Sequence, residues 1–415
     1  MNPLKTYQGL PRSVYVLFLA QVINRLGDFV APFLTLFLTK QLGMSNSAAG
    51  AAVMITVLVS IPGAFAGGKI ADHFGRKKSY ILFQTMAGVW ILLCTFTSEP
   101  WVITGLVSLA AFFNGGVRPI MTAIMTDVMT PEQRKSGFSL TYLGINVGVA
   151  IGPILAGFLF NHYLFMIFIG DALTTFFAVI MVAMNIKESL PEHCQKVPDK
   201  SNAHTDTAVD SDRANEQHEE GNILTVLLKR PQIMFFLLFH VFNAAAYTQH
   251  NFSLPLMLNQ VFGDAGPRNF GFIMSLNAIT VLAMTAIITT VTHKNRPIVN
   301  MCLGGLTYVI GFGMIGMIRS LPLFWLSTFV WTLGEILIVT NFGVYIANNT
   351  PQNFRARFSA VTSLSWAGGS VLGTYFMGMY IDAVGIVHIW PVVAMLAGVG
   401  TLGMAWLAYG RKERG

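Results

Sequence analysis

Residues 67–78 read GGKIADHFGRKK. One acid, Asp72, stands among Lys69, His73, Arg76, Lys77 and Lys78, between apolar runs at 49–71 and 79–97. Charges confined between two runs of that length mark a short loop at one face of a bilayer. The rest of the chain agrees. Of its 415 residues 53% are hydrophobic and 11% charged, against about 25% charged in soluble domains. Most side chains therefore face something other than water. The net charge of +7 is spread in short clusters between apolar runs, which argues against a nucleic-acid partner. Cys94, Cys194 and Cys302 are spaced for neither a zinc site nor a redox pair. No metal site is expected, and Cys94 and Cys302 read as packing residues inside apolar runs.

A helix that crosses the bilayer needs about 20 mostly apolar residues. Twelve such runs lie near 13–39, 49–71, 79–97, 101–126, 137–161, 163–185, 232–260, 270–292, 297–318, 321–347, 358–382 and 386–409. The first follows a basic N-terminal stretch, as a signal peptide does. It is too long for one and lacks a small-residue cleavage site, so it reads as a retained first span. Alternate loops on one side hold only Lys40, Arg268 and Arg319, and Arg25 and Arg118 lie within spans. The other side takes 21 of the 26 bases. By the positive-inside rule both termini are cytoplasmic.

Residues 187–229 are polar and without apolar periodicity, as in a cytoplasmic linker. They divide the spans six and six. TPEQRKSGFS at 130–139 returns as TPQNFRARFS at 350–359, an offset of 220 residues, each joining the fourth and fifth spans of its half. At that offset, within one residue, Asp72 falls opposite His293, so the second copy of the opening loop has decayed to HKNRP. The expected fold is an all-α polytopic membrane protein of twelve transmembrane helices. It forms two pseudo-symmetric six-helix bundles, 1–186 and 230–415, joined by the linker 187–229.

On these residues the chain resembles the major facilitator superfamily over essentially its whole length. Gly68-Lys-Ile-Ala-Asp72-His-Phe-Gly75-Arg76-Lys77 is similar to that family's G-x-L-A-D-R-x-G-R-K signature, with Ile70 and His73 as mild departures. Glycine permits close helix approach and unusual turns, the roles expected of Gly68 and Gly75. Arg76 and Lys77 suit an anionic inner leaflet. The resemblance implies that Asp72 latches the outward-facing state. In drug/proton antiporters of the LmrP and MdtH kind, a carboxylate at the position of Asp127 resembles a partner of the signature loop, through Arg76 or Arg134. Gly144, Gly148, Gly152, Pro153 and Gly157 make a smooth helical face in the fifth span, similar to an antiporter motif of the superfamily.

Ionisable residues within spans are costly and mark function. Arg25 and Asp28 share one face of the first span, near Asn24. Arg118 in the fourth span pairs with Asp28 and frees Arg25, or leaves Asp28 to Arg25. Asp171 in the sixth span is the weakest of these sites. Glu335 lies in the middle of the tenth span, one turn after Trp331. Its apolar flanks disfavour a charged carboxyl, as a proton carrier requires, and WTLGE resembles the YTLGE segment of proton-coupled multidrug antiporters. The proton-coupling acids are thus Glu335 and Asp28. Asn24, Arg25, Arg118, His240, Asn243 and Trp331 are the expected cavity set. The reading is a transporter and not an enzyme: a monomeric inner-membrane antiporter that exports amphipathic drug-like molecules. Its partners are substrate, protons and lipid bilayer, and a proton gradient replaces any cofactor. Uptake or export of a specific metabolite is the alternative.

Overall fold

The computed structural model describes residues 7–189, 227, 229–350 and 355–409. Apart from 187–189, 227 and 229, the expected linker 187–229 lies outside the described residues, as do Lys5 and the basic tail from Arg411. All regular elements among the described residues are helices: α1 (Arg12–Leu26), α2 (Val30–Leu36, continued by a π turn Phe37–Gln41), α3 (Asn46–Phe74), α4 (Arg76–Leu93), α5 (Pro100–Val128), α6 (Pro131–Leu159), α7 (Leu164–Asn185), α8 (Pro231–Phe262), α9 (Gly266–Thr292), α10 (Pro297–Ile315), α11 (Leu321–Asn349), α12 (Arg355–Val384) and α13 (Trp390–Tyr409). With α1 and α2 taken as one interrupted span, they match the twelve expected runs. Among the described residues, ten stretches are long and apolar enough to cross a membrane, and one of them, Pro231–Thr292, holds both α8 and α9. Only α12, rich in serine, threonine and glycine, falls outside that set. Phe65, Phe96, Leu173, Val291, Met317 and Leu402 are exposed, as expected where the solvent is lipid.

Local chemistry sets the helix ends. Ser45 accepts the Ala48 N–H and caps α3. Thr130 and Gln133 form a capping box at α6, which explains the T-P-x-Q of the first repeat. The second copy, 350–359, carries described side chains at Thr350 alone.

The chain divides into two compact units. The first is Met1–Gln195 with Asn251–Leu282, and the second is Lys196–His250 with Ala283–Gly415. The division therefore falls inside α8 and α9 as well as in the expected linker, between 195 and 196. Small residues explain this. A Cβ on Gly157 of α6 would stand 2.7 Å from the Pro267 carbonyl oxygen, and one on Gly271 of α9 would stand 2.3 Å from that of Pro153. The start of α9 thus lies directly on the Pro153–Gly157 side of α6. The expected single glycine face is split: Gly157 is turned well away from Gly148 and Gly152, which meet α1, where a Cβ on Gly148 would stand 2.8 Å from Val22 O and one on Gly152 would stand 2.6 Å from Leu26 O. Gly144 abuts Phe18 in the same way. Within the first unit α3 and α4 also pack on α5, and α4 on α7. In the second unit α10 packs on α11 and α13.

Gly68 departs from its expected role. A Cβ there would meet nothing within 4 Å, whereas one on Gly67 would lie 2.5 Å from the Cα of Gly116 in α5. Gly67, one turn after Gly63, is the glycine of close approach.

Candidate functional site

Gly75 ends α3 and begins α4 with φ 105° and ψ 144°, a backbone that L side chains rarely adopt. The turn brings Asp72 Oδ1 to 3.5 Å from Arg76 Nη1. Arg76 Nε lies 2.5 Å from Asp127 Oδ2 at the end of α5, as an ion pair without hydrogen-bond alignment. Of the two bases expected for Asp127, Arg76 is the partner. Arg134 instead donates to the Thr126 carbonyl at 3.5 Å.

A fourth group, missed in the sequence, completes this corner. Glu188 Oε1 accepts the backbone N–H of Arg76 at 2.6 Å and of Lys77 at 3.1 Å, and Oε2 accepts that of Lys78 at 3.3 Å. These are free donors of the first turn of α4, and a carboxylate is the charge a helix N-terminus favours. The Ser189 hydroxyl donates to Asp127 Oδ2 at 3.3 Å. Residues 187–189, read as the start of a free linker, are therefore tied to the signature loop. They line a cleft of about 550 Å³ with Arg12, Ser13 and Asp127. The signal was present: six spans return the chain to the face of the signature loop, and Glu188 follows α7 by three residues.

The first span is interrupted, where its unbroken apolar run predicts a single helix. α1 stops at Gly27, α2 begins at Val30, and Asp171 Oδ2 on α7 accepts the Val30 N–H at 3.2 Å. A Cβ on Gly27 would lie 1.6 Å from Thr174 Oγ1, so α7 occupies the space a side chain would need. Irregular backbone at membrane depth is tolerated only inside protein or beside a cavity. At the break Arg25 Nη1 pairs with Asp28 Oδ2 at 2.8 Å, and Asn24 Nδ2 donates to Thr175 Oγ1 at 3.2 Å. Between the two pairings open to Asp28, the structure has Arg25. Arg118 is exposed on α5, and among the described residues its guanidinium forms no ion pair.

In the second unit Glu335 lies half-buried midway along α11. Its neighbour Gly334 packs on α10, where an added Cβ would stand 2.8 Å from Tyr308 Cδ1. Three residues expected on a cavity wall are instead buried. Trp331 is 0% exposed and stacks on Phe312 with ring centroids 5.5 Å apart. His240 is buried and bonds Ser365 Oγ at 3.2 Å. Asn243 is buried with Nδ2 3.8 Å from Met404 Sδ. The cause lies on other helices for the two α8 residues. Gly369 and Gly373 of α12, and Gly400 of α13, bring backbone against Val241, Ala245 and Phe239, which closes the polar side of α8.

Comparison with known proteins sets these features in context. Residues 17–374 match the family model of the Major Facilitator Superfamily. An uncharacterised MFS-type transporter of Bacillus subtilis (strain 168), YqjV, is 23% identical over 415 residues, covering 99% of this chain and 96% of the relative. A Na(+), Li(+), K(+)/H(+) antiporter of Planococcus maritimus is 22% identical over 361 residues, 83% of each chain. A crystal structure of a POT family transporter, in complex with a thioalcohol-conjugated peptide, superposes with a TM-score of 0.79. It covers 100% of this chain and 99% of its own at 14% identity, a likeness of fold. The chain belongs to the Major Facilitator Superfamily and is a multi-pass membrane transporter.

Proposed function

We infer that the chain is a proton-coupled antiporter that exports amphipathic, drug-like molecules by alternating access. The observation that carries this reading is Glu335, a half-buried carboxyl in a membrane helix with no other charged residue. A carboxyl in such a place is expensive unless it cycles between protonated and charged forms. Asp28, held by Arg25 at the break in the first span, is the second acid. Protons enter from outside, neutralise these groups and change the affinity for cargo. The signature loop acts as the gate: Arg76–Asp127 and the Glu188 cap hold it closed, and Asp72 biases it. The sequence carries no GxxxxGK[ST] nucleotide loop, so an ion gradient supplies the energy. In this reading the protein works as a monomer in the inner membrane, with both termini cytoplasmic.

The test is transport in proteoliposomes with an imposed pH gradient, on wild type and Glu335→Gln. Gradient-driven export is expected in the first and lost in the second, while downhill exchange of cargo remains. Unchanged gradient-driven export by Glu335→Gln removes Glu335 from coupling. A second reading, exchange of monovalent cations for protons, is favoured by the printed activity of the Planococcus relative. Proton efflux triggered by added Na⁺ or K⁺, and not by cationic dyes, would establish it in place of the first.

A further inference from the structure

Asp171 is the only charged residue of α7, and a carboxyl within a span is costly unless something uses it. Among the described residues it forms no ion pair. Its Oδ2 instead accepts the Val30 N–H, 3.2 Å away across the break in the first span. In an unbroken helix that N–H would donate to the Leu26 carbonyl. Inside a bilayer a backbone donor that loses its partner finds no water to replace it.

The rest of the break leans on the same face of α7. Gly170, Asp171, Thr174 and Thr175 stand together at helical spacing. A Cβ on Gly170 would lie 2.7 Å from Phe29 Cε2, Thr174 fills the space beside Gly27, and Thr175 accepts from Asn24. Asp28 lies between the two hydrogen-bonded points, Asn24 and Val30. Locally its backbone is held by two turn bonds. The Asp28 N–H donates to the Arg25 carbonyl at 3.4 Å, long for such a bond, and the Phe29 N–H to the Gly27 carbonyl at 2.7 Å. The place of the Asp28 carboxyl, 2.8 Å from Arg25 Nη1, therefore depends on what fixes Val30 two residues further on.

We propose that Asp171 is a positioning residue for the Arg25–Asp28 pair. It acts through the Val30 N–H and not by carrying a proton. This rests on the efflux reading only for the statement that Asp28 takes part in coupling.

The test is a double-mutant cycle on the pair, Arg25→Gln with Asp28→Asn, repeated in the full-length wild type, in Asp171→Asn and in Asp171→Ala. Equilibrium unfolding in detergent gives the factor by which the double variant departs from the product of the single ones. That factor is expected to be about fivefold in wild type. Asp171→Asn keeps an oxygen for the Val30 N–H and should retain it, whereas Asp171→Ala should bring it below about twofold. Asp171→Leu, which fills a similar volume without an acceptor, takes the place of the alanine variant if that one does not fold. A role in packing alone would lower the stability of the alanine variant and leave the factor unchanged, which overturns the proposal. A factor lost equally in the asparagine variant also overturns it, because the acceptor is then not what holds the pair. Gradient-driven ethidium export in proteoliposomes keeps this apart from the antiport. No driven export in wild type, with the factor lost in alanine and kept in asparagine, overturns the efflux reading and leaves the positioning role. Driven export lost in Asp171→Asn while the factor remains makes Asp171 a proton carrier and overturns the positioning role.

Discussion

The loops at 72–78 and 293–297 occupy the same place in the two halves of the sequence, but different forces close them. The 220-residue offset carries Arg76 onto Arg296, Asp127 onto Ala347 and Glu188 onto Ala408. Both arginines remain while every acid is gone from the second copy. Arg76 meets Asp127, and Glu188 caps its backbone. Arg296 Nη1 donates instead to the carbonyl oxygen of Ala408 at 2.9 Å, the backbone of the residue that stands where the first half has Glu188. Around it Asn295 Nδ2 donates to Asn300 Oδ1, and Asn300 Nδ2 to Asn341 Oδ1, each at 3.0 Å. One corner is closed by opposite charges and the other by a lone cation on neutral dipoles. Contacts made by carboxylates respond to protons and salt, and contacts made by amides and a carbonyl respond far less. Under the proposed antiport, the gate that responds to the proton gradient is expected in the first half.

The sharpest way to break that comparison is to remove each arginine. The Arg76 side chain is only 16% exposed, so Arg76→Ala leaves Asp127 without its counter-charge and should cost about 3 kcal/mol. Arg296→Ala loses one charge-assisted bond to a carbonyl and should cost about 1.5 kcal/mol. Unfolding of the purified protein, followed by far-UV circular dichroism across a denaturant titration, measures both. Equal losses would mean that the acids add nothing to the first corner. Asp72 is 62% exposed at 3.5 Å from Arg76, and exposed pairs are worth under about 1 kcal/mol. It is therefore the acid to change when the aim is to shift the conformational cycle and not stability.

Gly75→Ala probes the turn on which the ionic corner is built. It forces an L side chain to φ 105° and places a Cβ 2.6 Å from Glu188 Oε2. The backbone alone costs about 1–2 kcal/mol, and displacement of the cap adds to it, for a total near 2 kcal/mol. Glu188→Gln should follow at about 1 kcal/mol, because the amide oxygen still accepts a backbone N–H but the charge at the helix end is lost. Its effect on transport sharpens the comparison further. If Glu188 holds the inner gate, the variant should spend more time open to the inside, and a cysteine placed near Asp127 should label faster. Unchanged labelling would make Glu188 a structural cap alone.

Much of this was legible in the chain. The apolar runs at 49–71 and 101–126 became α3, Asn46–Phe74, and α5, Pro100–Val128, because span length follows from bilayer thickness. Spacing offered the Arg25–Asp28 pair, with Arg118 as the rival partner, and the structure has Arg25. What stayed hidden was non-local or masked by hydropathy. The break at Gly27–Phe29 sits inside a run that is apolar on both sides. Gly27, Asp28 and Pro32 together signal it, yet a hydropathy window passes over them. Glu188 was absorbed into a polar linker by composition, although its function comes from which helix end it meets. His240 and Asn243 are polar on a membrane helix and read as cavity wall. Whether they line a cavity depends on glycines more than 100 residues away, which no local pattern on α8 reveals.

The smallest expected effect tests the register of the opening motif. Gly67 and Gly68 are adjacent, and only one can face α5. Gly63 and Gly67 stand one turn apart, and both meet its backbone, at Phe112 and Gly116. Gly68 is rotated about 100° from Gly67, and nothing lies within 4 Å of where its Cβ would be. Gly68→Ala should therefore be neutral or stabilising by up to about 1 kcal/mol, the difference in helix propensity. Gly67→Ala should destabilise by about 2 kcal/mol, because a Cβ 2.5 Å from a backbone atom forces α3 and α5 apart. Opposite signs at neighbouring positions would fix the helical phase of α3 that presents Asp72. A loss at Gly68 equal to that at Gly67 would place a neighbour where this structure has open space, and would return Gly68 to the role its motif suggests.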